Sequence, residues 1–131
     1  MKTTFVNTSE LFDSSNRADC TVRAFAVCMN CTYMEAEAYM AENLGRTNNK
    51  GVSAYSLLSH LRAIAKEIIN KLTAKEKTPT YNQFKKSLMQ ENKTYYIIVK
   101  GHALAVKNGV IYGNESDSKI SRKRLWGVYE F

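Results

Sequence analysis

Proline occurs once in 131 residues, histidine twice and tryptophan once, and no apolar run approaches the roughly 20 residues that a membrane-spanning helix needs. The opening Met1-Lys2-Thr3-Thr4-Phe5-Val6 passes at once into polar Asn7, Thr8 and Ser9 rather than an apolar signal core. A soluble, cytoplasmic protein with no membrane partner is the expectation. Cysteine is sparse and odd in number, with Cys20, Cys28 and Cys31 all close together, so no loop-stapling disulfide framework suggests itself and a reducing compartment fits. Cys28-Met29-Asn30-Cys31 has the C-x-x-C spacing, but no second Cys/His pair follows at zinc spacing and His60 stands alone. No metal and no cofactor are expected.

What is present suits one domain spanning 1–131: 44% of residues are hydrophobic and 24% charged, enough for a single buried core. The formal net charge of +7 is uneven. Residues 1 to 45 hold more acid than base, whereas 62 to 100 hold nine Lys/Arg against three Glu. These lysines are scattered and not interleaved with aromatics, which argues for a solvated face over a nucleic-acid surface.

Residues 7 to 19 are polar and turn-forming, and the apolar pattern begins after Asp19, so a helix should start near Cys20. Val22, Phe25, Ala26 and Met29 then recur at helical spacing until Asn30 or Cys31. Thr32 and Glu35 form a capping box opening a second helix, Tyr33 to Leu44, with Gly45 as its C-cap. A third begins about Ser53 with Leu57, Leu58, Leu61 and Ile64 on its buried side. Residues 66 to 78 suit either helix or strand, Pro79 breaks what precedes it, and Thr80 with Gln83 caps a short helix to about Met89.

From Thr94 the chain reads as strands: Thr94 to Val99, His102 to Lys107, Val110 to Asn114 and Leu125 to Phe131, with Asn108-Gly109 as a hairpin signal. Helices first and antiparallel strands afterwards predict an α+β fold.

A thiol is a good nucleophile only as thiolate, and a helix N-terminus stabilises that anion. Cys20 is placed there, whereas Cys28 and Cys31 fall at the opposite end, where the dipole has the wrong sign and packing is the expected role. The proton acceptor best matched to neutral pH is imidazole. His60, between Leu58 and Leu61, has a structural or surface role. His102, between Gly101 and the run Ala103-Leu104-Ala105-Val106, has small neighbours that leave its ring open at the mouth of a sheet.

A third group usually fixes the imidazole tautomer. A three-residue turn pairing Val106 with Val110 sets His102 opposite Asn114; a two-residue Asn108-Gly109 turn slips the register and loses that pairing. Asn114 is therefore the first candidate and Asp117 the alternative. The oxyanion of an acyl-transfer intermediate needs donors, for which the Cys20 N–H and the upstream Asn16 amide are the nearest. Asp19 either helps orient this site or, with Arg23, caps the helix and ties it to a neighbour.

The stretch Asn16-Arg17-Ala18-Asp19-Cys20-Thr21-Val22-Arg23-Ala24, the loop from Gly45-Arg46 to Gly51, and Gly101-His102-Ala103-Leu104-Ala105-Val106 through Asn108-Gly109-Val110 together resemble papain-like, peptidase C39-like domains of small bacteriophage and bacterial proteins. The resemblance covers most of the chain in the order Cys, helices, His, strand. It implies a papain-like cysteine peptidase fold, with the nucleophile at a helix start packed on a C-terminal antiparallel sheet. Carried over, the catalytic positions are Cys20, His102 and Asn114. The family's oxyanion glutamine would fall six residues before the cysteine, where this chain has Ser14.

The expected activity is hydrolysis of an amide or isopeptide bond in a peptide or protein, by a monomer or small homo-oligomer. Transferase or deamidase chemistry would use the same pair. The competing expectation is a catalytically silent papain-like fold of a phage protein, binding a host protein in the host cytoplasm.

Overall fold

The structure, a computed structural model, describes residues 4–12, 19–47 and 50–131. Its elements run β1 (Phe5–Asn7), α1 (Thr8–Leu11), α2 (Cys20–Met29), α3 (Tyr33–Leu44), α4 (Ala54–Ile64), β2 (Lys66–Asn70), α5 (Tyr81–Ser87), β3 (Thr94–Val99), β4 (His102–Lys107), β5 (Val110–Gly113), a 3₁₀ helix (Glu115–Arg122) and β6 (Gly127–Glu130). The fold is α+β. The sheet, in the order β1-β5-β4-β3-β6-β2, is mixed and not purely antiparallel, because β1 lies parallel to β5.

Period-2 alternation in β3 and β4 splits the interior into two cores. Tyr96, Ile98, Ala103 and Ala105 face α2, α3 and α4, while Tyr95, Ile97, Val99, Leu104 and Val106 form the other core with Tyr81 and Phe84 of α5 and Ile120. The alanines of β4 leave room for α2 to lie close against that strand. Tyr96 fixes the approach, its hydroxyl donating to the Thr21 carbonyl over 2.9 Å in the first turn of α2. Phe25 of α2 stacks on Tyr39 of α3, with centroids 4.4 Å apart.

Helix ends follow the sequence signals. Thr32 and Thr80 cap α3 and α5 with reciprocal bonds from Glu35 and Gln83, and Asn30, at φ 52°, closes α2 while the Cys31 N–H reaches back to the Ala26 carbonyl. Cys31 therefore lies just outside α2 rather than in its last turn. Ile64, expected on the buried side of α4, is 41% exposed, and Leu57, Leu58 and Leu61 alone fill that face. The ambiguous segment after Ala65 is strand β2, paired with β6 through a bulge between Glu67 and Ile69.

Two segments depart more strongly. The polar stretch expected to be turns from residue 7 onward begins with α1, and β1 just before it joins the sheet edge. Past Gly113 the chain leaves the sheet and winds into the 3₁₀ helix, so β5 ends one residue earlier than expected, and β6 starts at Gly127 rather than Leu125.

Candidate active site

The β4–β5 hairpin turns on Asn108 and Gly109, both at positive φ (53° and 77°), as the two-residue I′ geometry requires. Lys107 consequently pairs with Val110, Val106 with Ile111 and Ala105 with Tyr112. This is the slipped register, in which His102 has no partner at Asn114. Hydrogen-bonded pairs alternate along an antiparallel ladder outward from the turn, so the next after Ala105 would be Ala103 with Asn114. Because β5 has ended, the Ala103 N–H has no strand partner on that side, and it helps to lower the Cys20 pKa.

Cys20 opens α2 as its first residue, with Asp19 at the N-cap. His102 opens β4 after the Lys100-Gly101 turn, where Gly101 sits at φ 70°. Helix start and strand start meet, Cys20 and His102 line one cleft, and thiol and imidazole are close enough for each to shift the other's pKa. The His102 Nε2 lies 2.6 Å from Asp117 Oδ2, which leaves Nδ1 as the nitrogen that serves the thiol.

Asp117, the alternative third member, thus stands where Asn114 was expected. It sits in the first turn of the 3₁₀ helix, 5% exposed, and its Oδ2 also accepts the Asn114 N–H over 2.7 Å. Asn114 acts on the site through its backbone: its carbonyl accepts the Asp117 N–H at 2.8 Å, closing a reciprocal pair that fixes the carboxylate. Gly113 makes room for it. A Cβ there would lie 3.0 Å from the Asp117 Cγ and 3.1 Å from its Cβ, and would overlap the carboxylate oxygen.

The electrostatics separate the three thiols. Burial pushes the Cys20 thiol up, but the His102 hydrogen bond and charge, the Ala103 N–H and the Arg23 guanidinium together outweigh it, and the net direction is down. Burial likewise pulls His102 down, yet its bonds to Asp117 and Cys20 and their charges raise it to about 9. The two shifts reinforce each other: the His102 cation favours the thiolate, and the Cys20 anion favours the imidazolium. Cys28 is pushed far up by burial, and Cys31 is raised by burial and by the Glu35 carboxylate.

Asp19 is 2% exposed and makes no side-chain cap bond. Its carboxylate instead holds Arg23 at 2.8 Å and accepts the Tyr33 hydroxyl at 2.9 Å. Arg23 Nη1 in turn donates to Thr8 Oγ1 at 3.1 Å, and Thr8 donates to the Gly113 carbonyl at 3.2 Å. This relay joins the helix bearing Cys20 to the strand end from which Asp117 follows. Asp19 is a structural tie for the nucleophile's helix, and Thr8 and Gly113 are site supports that the sequence reading missed. Thr8 sat in a tract read only as polar turn, and nothing local to it marks a long-range partner.

Asn16, the candidate oxyanion donor, and Ser14, which stands at the family's glutamine position, lie outside the described residues. His60 shares a 2.6 Å hydrogen bond with Tyr39 between α3 and α4, in keeping with a structural role. Among the described residues no group of three or more His, Cys, Asp or Glu is arranged to hold a metal ion, and no helix is long and apolar enough to cross a membrane. Comparison with protein-family models, with curated proteins and with solved structures finds no match to this chain.

Proposed function

We propose that the protein is a cysteine hydrolase of papain-like type that cleaves an amide or isopeptide bond in a peptide or protein, working in a reducing cytoplasm. The observation that supports this most is the juxtaposition of Cys20, His102 and Asp117, with the thiol on a helix start and its pKa held down by His102, and the imidazole's raised and hydrogen-bonded to Asp117.

The Cys20 thiolate attacks the carbonyl carbon; a C–S bond forms and the carbonyl pair moves onto oxygen. Collapse of that tetrahedral species breaks the C–N bond, and the His102 imidazolium gives its proton to the departing amine. The neutral imidazole then takes a proton from water, the hydroxide attacks the thioester, and the thiolate leaves. Asp117 keeps Nδ1 aimed at sulfur and stabilises the imidazolium, the role of the acid in a Ser-His-Asp triad. The Cys20 N–H, in the first turn of α2, is the nearest backbone donor for the oxyanion. An amine in place of water would make the same acyl-enzyme a transferase.

Incubation with a mixture of peptide amides and mass spectrometry of the products tests this reading. Cleavage that disappears in Cys20→Ser and in His102→Ala is expected. Cleavage that survives in Cys20→Ser contradicts it.

One observation favours a second reading, a catalytically silent papain-like fold that binds a host protein: Ser14 stands where the family has its oxyanion glutamine. A parent protein that cleaves nothing and whose Cys20 titrates as an ordinary thiol would support that reading.

A further inference from the structure

The Cys20–His102 pair opens onto a cleft of about 170 Å³ whose wall includes both residues. Pockets for whole drug-sized ligands run to roughly 300–1,000 Å³, so this one has room for a single side chain. Val52, Leu57 and Ile98 give it an aliphatic wall, and Thr21 supplies the remaining polar side chain. Among the described residues lining it, none is ionisable apart from the reacting pair. A lysine or glutamate side chain entering it would lose hydration without gaining an opposite charge.

We infer that this cleft selects the residue whose carbonyl Cys20 attacks, and that the residue it takes is uncharged and aliphatic, of about leucine size. The inference rests on the hydrolase reading above and deepens it. The position follows from adjacency: a group that touches the walls formed by Cys20 and His102 lies within one side chain of the attacked carbon. The preference follows from apolar burial, since an aliphatic group leaves water for the walls of Val52, Leu57 and Ile98, while glycine leaves the cleft unfilled. The cleft is also blockable without altering Cys20, His102 or Asp117, because Ala54 at the start of α4 lines it and a larger residue there would occupy it.

The test uses acetyl-leucyl, acetyl-glycyl, acetyl-lysyl and acetyl-glutamyl chloromethyl ketones, with iodoacetamide as a probe that carries no side chain. In each ketone the Cys20 thiolate displaces chloride, forming a C–S bond at the methylene beside the ketone. Rates of modification at Cys20 are expressed relative to iodoacetamide in the same protein. The leucyl ketone is expected to react at least roughly tenfold faster than the other three, and that preference is expected to collapse in Ala54→Phe. Val52→Phe blocks the same cleft where Ala54→Phe does not fold. Rapid, low-pH iodoacetamide alkylation of Cys20 with equal rates for all four ketones, or a leucyl preference that persists in the blocked variants, overturns the cleft assignment while leaving the nucleophile intact. Ordinary iodoacetamide reactivity at Cys20 overturns the hydrolase reading and the cleft assignment with it.

Discussion

Asp117 Oδ2 sits 2.6 Å from His102 Nε2 and takes a second hydrogen bond, 2.7 Å, from the Asn114 backbone, so the carboxylate that orients the imidazole is itself held in place. Asp117→Asn should cost roughly 10²-fold or more in kcat/KM, because an amide can favour the wrong imidazole tautomer and no longer stabilises its cation. Asn114→Ala, which keeps the backbone N–H, should cost far less. Equal losses in the two variants, measured on one cleaved peptide, would mean that the Asn114 side chain has a role the hydrogen bonds do not give it.

Gly113→Ala is expected to resemble loss of the Asp117 carboxylate while leaving every ionisable residue in the sequence. The added methyl meets the Asp117 Cγ and Cβ at 3.0 and 3.1 Å and displaces a carboxylate held at two points. Overpacking of this kind costs about 1–3 kcal/mol of stability. Urea unfolding reads that loss, and the Cys20 alkylation rate at pH 6 reads the loss of orientation; an unchanged rate would show that the carboxylate relaxes without consequence.

Arg23→Ala removes the guanidinium 2.8 Å from the buried Asp19 carboxylate and breaks the bond to Thr8. Breaking a buried pair from one side costs about 3–5 kcal/mol. Asp19→Asn combined with Arg23→Met should recover part of it, and a double-mutant cycle by denaturant unfolding measures the coupling. Additive losses would argue that the pair is not energetically linked.

The pH dependence has a definite sign. His102 is raised from 6.5 to about 9, so its contribution to stability is fully present below 6.5 and lost as pH rises through 9. In a Cys20→Ser background, where no thiolate titrates against the imidazole, the stability difference on adding His102→Ala should therefore narrow as pH rises above 6.5 in urea titrations. Turnover should also fall on the alkaline side near 9, where the imidazolium that protonates the leaving amine disappears. A difference that stays constant across that range contradicts a raised His102.

Local signals carried much of this in the sequence. Two capping boxes, a C-cap glycine and the Asn108-Gly109 turn each act through residues three or four apart, and the elements they mark formed where expected. Cys20 and His102 were legible because a helix start and a glycine-preceded strand start are local as well. Asp117 was only the alternative, since its place depends on the hairpin slipping by one residue and on the chain leaving the sheet after Gly113. Thr8 and Gly113 were illegible for the same reason: they are joined by a hydrogen bond across 105 residues of chain, and neither carries a pattern that names the other. Strand β1, three residues long and half-buried, offered too few alternations to be read.

The most direct test of the central claim is the pH dependence of iodoacetamide alkylation at Cys20, Cys28 and Cys31, resolved by mass spectrometry in the parent and in His102→Ala. The account predicts that Cys20 alone reacts well below the ordinary thiol range of about 8.5, and that its midpoint moves up when His102 is removed. Three cysteines alkylated only as ordinary thiols, with no change at Cys20 in His102→Ala, would contradict it.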